Sequence, residues 1–126
     1  MLSNNHKYHQ EGNFIQATFK GFIKFDDFKD ICNESLRLMV KHQTSKVLTD
    51  NSKLMKMPKE NEEWIQQEWF PKAIQLGLKQ LAFVISPNGL GEQSTKDANK
   101  AVEAQNLPVD LKYFESVSEA SAWLKA

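Results

Sequence analysis

Two runs, Lys46-Val47-Leu48-Thr49-Asp50-Asn51-Ser52 and Leu81-Ala82-Phe83-Val84-Ile85-Ser86, decide the fold of this chain. Short apolar runs bounded by turn residues read as strands buried on both faces. Between them Ile65, Trp69, Ala73 and Leu76 recur at helical spacing, which predicts a helix from about Glu60 to Leu76, closed by Gly77. Strand–helix–strand is the repeating unit of parallel sheets. The two strands are expected over Lys46–Asp50 and Leu81–Ser86. In open sheets of this kind, ligands sit outside the carboxyl ends of the strands. The turns that follow these strands therefore supply the candidate ligand-facing residues: Asp50, Asn51 and Ser52 in one, Ser86, Asn88 and Gly89 in the other. The competing reading is that Asp50, Asn51 and Ser52 satisfy turn amides with their own side chains.

Working outward, residues near Asn5–Gln10 form a short edge strand, Glu11-Gly12-Asn13 a hairpin turn and Phe14–Phe19 a further strand. A helix begins near Phe25, with Asp26 or Asp27 available as its cap, and ends near His42. Its inward stripe is Phe28, Ile31, Cys32, Ser35, Leu36 and Met39. Beyond Ser86 the run Pro87-Asn88-Gly89-Leu90-Gly91 is a loop. A helix starting around Ser94 or Thr95 runs to about Gln105, Val109–Phe114 is a strand, and Ser116 starts a last helix with Ala120, Trp123 and Leu124 inward. The expectation is one α/β domain over residues 1–126. Its sheet has about five strands, mostly parallel, with a short antiparallel N-terminal edge strand, and about four helices accompany it.

Composition narrows the function classes. The 126 residues are 40% hydrophobic and 25% charged, and sixteen basic residues balance sixteen acidic ones. A net charge of zero provides no field to gather nucleic acid or an anionic membrane. Arg37 is the only arginine, which argues further against nucleic acid, because bidentate base and phosphate recognition favours arginine. Cys32 is the only cysteine, so neither an internal disulfide nor a cysteine zinc site is available. No apolar run is long enough to insert into a membrane, and Met1–Gln10 lacks the apolar stretch of a secretion signal. A cytoplasmic protein is expected.

No catalytic motif stands out. His6 and His9, three apart on a strand, face opposite ways and make a poor metal pair. His42 falls in the last turn of its helix, where a cation is favourable. Cys32 lies within an apolar stripe and reads as core. Gly89-x-Gly91 before a helix invites a phosphate reading, but Glu92 stands where a phosphate loop needs a lysine. The chain is accordingly expected to be non-enzymatic, with no cofactor.

Phe19-Lys20-Gly21-Phe22, Val47-Leu48-Thr49-Asp50-Asn51, Trp64-Ile65-Gln66-Gln67-Glu68-Trp69-Phe70-Pro71, Gly77, and Phe114 with Glu119-Ala120-Ser121-Ala122-Trp123-Leu124 together resemble the SpoIIAA-like group, the STAS-type domains of anti-sigma-factor antagonists and their uncharacterised relatives. The resemblance implies a small sheet wound as a β-α superhelix. In those antagonists a phosphorylatable Ser or Thr begins the helix after the second main strand. Here that segment is Met55-Lys56-Met57-Pro58-Lys59-Glu60, which has no hydroxyl side chain. Some relatives of this architecture are grouped with lipid carriers of the CRAL-TRIO type.

One feature of the Glu60–Leu76 helix points to contacts. Its core stripe leaves Trp64, Phe70 and Ile74 as surplus apolar surface, with Leu54, Met55 and Met57 just upstream. Pro71 lies inside the helix and can shift its phase. These six residues form the candidate interface, for a protein partner or for a second copy in a homodimer. The leading expectation is a regulatory or protein-interaction domain. The alternative is a small-molecule or lipid-binding module with a small apolar ligand at the strand ends.

Overall fold

Strand pairing runs across the sheet in chain order. The computed structural model describes residues 5–86, 92–104 and 108–126, with positions 94, 98 and 101–104 described in backbone only. β1 (His6–His9) pairs antiparallel with β2 (Phe14–Gly21). β3 (Lys46–Leu54), β4 (Gln80–Val84) and β5 (Asp110–Phe114) then add in parallel, giving the order β1-β2-β3-β4-β5. The helices are α1 (Phe25–His42), α2 (Lys59–Trp64), α3 (Phe70–Gln75), α4 (Glu92–Ala104) and α5 (Val117–Lys125). A π-helical turn, Ile65–Trp69, joins α2 to α3 as one rod. The α/β architecture, the antiparallel edge strand and the four helical rods are those expected from the sequence. Among the described residues, no helix is long and apolar enough to cross a membrane.

Alternation along the strands sorts side chains onto two faces. Ile15, Ala17, Phe19, Val47, Leu81 and Phe83 meet the stripe of α1 and the residues Trp69, Phe70 and Ala73 in the larger core. Phe14, Leu48, Ala82 and Val84 point the other way and pack with Ala120 and Leu124 of α5 in a smaller one. All six residues of the expected α1 stripe are buried. Its cap differs from expectation. Lys24 holds the N-cap position without a side-chain bond, and Asp26 and Asp27 sit inside the first turn, where the helix dipole favours acids. At the β1–β2 turn, Gly12 has φ 85°, and a Cβ there would come within 2.6 Å of Lys125 Cγ. The positive φ and the close approach to the end of α5 both favour glycine at this position.

β3 does not stop at Asp50. It continues through Leu54 because β2 is also long and offers Lys20 and Gly21 as partners. Between the pairs Thr18↔Asp50 and Lys20↔Lys53, β2 advances two residues and β3 advances three. Asn51 and Ser52 thus share the single opposing residue Phe19, which is a β-bulge on β3. The Asp50 carboxylate accepts the Ser52 N–H at 3.1 Å and the Ser52 hydroxyl at 2.7 Å. The side-chain-to-amide bonding that usually makes Asp-Asn-Ser a turn operates here inside a strand.

The second departure is in the α2–α3 rod. Pro71 has no N–H to give to the helix, and just before it the Phe70 N–H bonds Ile65 O, five residues back. One extra residue in that turn rotates everything after it by about 100° relative to a uniform helix. Trp69 and Phe70 are both drawn inward as a result, and Leu76, expected in the core, is turned out to 42% exposure. The Trp69 indole N–H, 2.8 Å from Cys32 O, ties the bulged turn to α1.

Candidate functional site

The larger core is not uniformly apolar. Four buried polar residues, Ser35 of α1, Asn51 of β3, and Thr95 and Asn99 of α4, converge with Thr49 on a cavity of about 40 Å³. Its apolar wall comes from Phe19, Phe28, Met57, Ile65, Trp69, Phe70 and Phe83, with the Cys32 thiol among them. Each structural irregularity contributes to this wall. The β3 bulge sets Asn51 opposite Phe19, and the π turn brings Trp69 and Phe70 in side by side, their rings edge to face at 5.3 Å.

The hydrogen bonding around the cavity is incomplete at one atom. Asn51 Nδ2 donates to Thr95 Oγ1 at 3.0 Å, but Asn51 Oδ1 has no partner, although the residue is only 6% exposed. Asn99 Nδ2 reaches the Tyr113 hydroxyl at 3.3 Å, which ties α4 to β5. Ser35 Oγ lies 3.0 Å from His6 Nε2, so an edge-strand histidine stands behind the cavity wall. Ser35 sits mid-helix, where backbone amides are committed to the helix ladder and cannot face an oxyanion. Burial pushes the Cys32 thiol well above its ordinary pKa, which keeps it protonated. At the seam between α2 and α4, burial and then the Asp97 carboxylate raise the pKa of Glu62.

The structure divides the expected site residues. Of the ligand-facing set, Asn51 lines the cavity. Asp50 and Ser52 border a different groove of about 220 Å³, beside Thr18, Lys20 and Lys53. Ser86 is half-buried and follows β4 without reaching the cavity wall. Asn88 and Gly89, and with them the phosphate reading of Gly89-x-Gly91, lie outside the described residues. Of the interface set, Leu54, Met57 and Phe70 are core residues, Phe70 at 1% exposure, so they offer no free surface. The π turn accounts for Phe70, and the bulge, which flips the phase of β3, accounts for Leu54. Trp64 is half-buried, edge-on to Phe28 at 6.1 Å, and Ile74 is half-buried. Met55 alone of the six is exposed, at 44%.

Sequence reasoning missed Thr49, Thr95 and Asn99. Thr95 was expected near a helix start, but α4 begins at Glu92 and Thr95 lies within it. The available signal was that Thr95 and Asn99, four apart, place polar groups on one helical face where a core stripe belongs. His6 faces α1 and His9 the opposite side, where it bonds Gln16 at 2.7 Å, as the strand spacing implied.

The mostly parallel sheet in sequential order, with its antiparallel edge strand, is a SpoIIAA-like fold. Among solved structures, the chain is similar to an uncharacterised protein of the DUF3478 family from Shewanella loihica PV-4, described as having a SpoIIAA-like fold. The TM-score is 0.59 at 17% identity, over 94% of this chain and 89% of that one. No protein-family model and no curated protein matches the sequence.

Proposed function

We propose that this chain is a non-catalytic ligand-binding domain that holds a small molecule in the cavity between the sheet and the α1, α3 and α4 layer. The observation that carries the reading is Asn51, a cavity-lining residue whose buried Oδ1 has no donor. Buried polar atoms are nearly always paired, and Asn51 Oδ1 differs from the other unpaired carboxamide oxygen, Asn61 Oδ1, in belonging to a residue that lines a cavity. A pocket with apolar walls and a few convergent polar groups is the usual form of a small-molecule site. The polar groups here are amides and hydroxyls, and the thiol is held neutral, which favours recognition over proton transfer or nucleophilic attack. The single buried cysteine suits a reducing compartment such as the cytoplasm.

Side-chain NMR tests this directly, because the three tryptophans report on different places. In a screen of small neutral compounds, a ligand should shift the Asn51 side-chain amide and the Trp69 indole resonance. Trp123, which packs beside the α5 core, should stay still. A screen in which nothing moves Asn51 more than Trp123 would rule the reading out.

A protein-contact role has a narrower basis. Phe22 is 62% exposed and Met55 44%, and the Met55 N–H bonds Gly21 O at 3.0 Å, which sets both residues at the same end of the sheet. If that pair carries a homodimer, Phe22→Ser lowers the sedimentation coefficient. A wild-type monomer removes this role.

A further inference from the structure

The walls of the cavity specify more than that something binds. Resting on the ligand-binding reading, we infer that the occupant is a compact, uncharged hydrogen-bond donor of the amide or alcohol type. Its polar end sits on Asn51 and its alkyl end lies among Phe19, Phe28, Phe70 and Phe83.

Three observations lead there. The first is the unpartnered carboxamide atom. With Nδ2 committed to Thr95 Oγ1, Oδ1 requires a donor. Turning the carboxamide over leaves one atom unpaired all the same, since the Thr95 hydroxyl then donates to Oδ1 and the amino group is orphaned. Amides and alcohols donate and accept, so they complete the site in either orientation.

The second observation is charge. The described residues lining the cavity are Phe, Met, Ile, Trp, Cys, Ser, Thr and Asn, and none of these carries a charge. The same burial that raises the Cys32 thiol pKa also disfavours a charged ligand. An anion or ammonium ion would surrender its hydration for a site whose described lining offers no counter-charge. A pure hydrocarbon would leave Asn51 as unsatisfied as before.

The third is size. A cavity of about 40 Å³ has room for roughly three waters, or a molecule of about three or four non-hydrogen atoms. An apolar cavity that takes benzene measures about 150 Å³, so aromatic rings and acyl chains are too large. This sets the site apart from a lipid carrier.

Acetamide and acetate are nearly isosteric and differ in charge and donor, while xenon supplies an apolar probe without hydrogen bonds. The full chain, isotopically labelled, is titrated with each at pH 7 and constant ionic strength. Acetamide should shift the Asn51 side-chain amide and saturate, with a dissociation constant no tighter than tens of micromolar for so small a ligand. Acetate should not. Asn51→Leu should weaken acetamide about five- to tenfold, the value of one net hydrogen bond, without a matching loss of xenon binding. Xenon binding without acetamide, or acetate equal to acetamide, overturns the assigned class and leaves the site standing. If none of the three binds, the cavity holds only water, and the ligand-binding reading falls with it. Should Asn51→Leu fail to fold, the acetamide–acetate comparison on the natural chain decides the matter alone.

Discussion

The two faces of the sheet are packed differently. On the α5 side, Phe14, Leu48, Ala82, Val84, Ala120 and Leu124 form an all-apolar core. Lys46 Nζ seals its edge by donating to Leu124 O at 2.6 Å, where the helix end welcomes a cation. On the other side the same strands send Thr49 and Asn51 into a cavity with Ser35, Thr95 and Asn99. Stability alone asks for the first arrangement, since buried polar groups cost free energy unless every atom is paired. The second arrangement retains an unpaired atom, the cost expected of the proposed binding site.

That contrast can be broken from either side. The largest effect belongs to the α5 core: Leu48→Ala should cost about 2–5 kcal/mol in urea unfolding, because its cavity cannot be refilled. Trp69→Phe should cost about 2 kcal/mol, combining the lost indole bond to Cys32 O with the lost ring volume. Asn51→Leu should have the opposite or no sign, from zero to about 1 kcal/mol of stabilisation without ligand, because it removes the unsatisfied acceptor. A loss as large as that of Leu48→Ala would mean Asn51 is a structural member of the core and not a recognition group.

The smallest effect is electrostatic. A carboxyl whose folded pKa is raised contributes stability in full below its unfolded pKa near 4.5, and loses it as pH climbs through the folded value. Glu62→Gln removes that loss. It should raise Tm by about 1 °C at pH 7, given that a partly exposed carboxylate is well screened, and change nothing near pH 4. An equal gain at both pH values would assign the effect to packing at the α2–α4 seam instead.

The regular parts of this molecule were legible in its sequence. The α1 stripe could be read residue by residue because an uninterrupted helix keeps one period, and the strand–helix rhythm carried the topology. Both departures are single-residue insertions into a regular ladder. The π turn at Ile65–Trp69 answers to Pro71, whose presence signals a disturbance but not its direction. The bulge at Asn51-Ser52 uses the same residue types as a turn, and only the length of β2 across the sheet decides between them. The cavity is built where these two irregularities meet α4. Asn51 was expected in a turn beyond a strand's carboxyl end, and it stands instead at a bulge inside β3.

The most direct test is crystallographic: the structure of the chain grown in acetamide, read at Asn51. Density for the amide is expected within about 2.7–3.2 Å of the Asn51 carboxamide, with its methyl group toward Phe19 and Phe83. A protein donor on Asn51 Oδ1 and a cavity closed by its own side chains would contradict it.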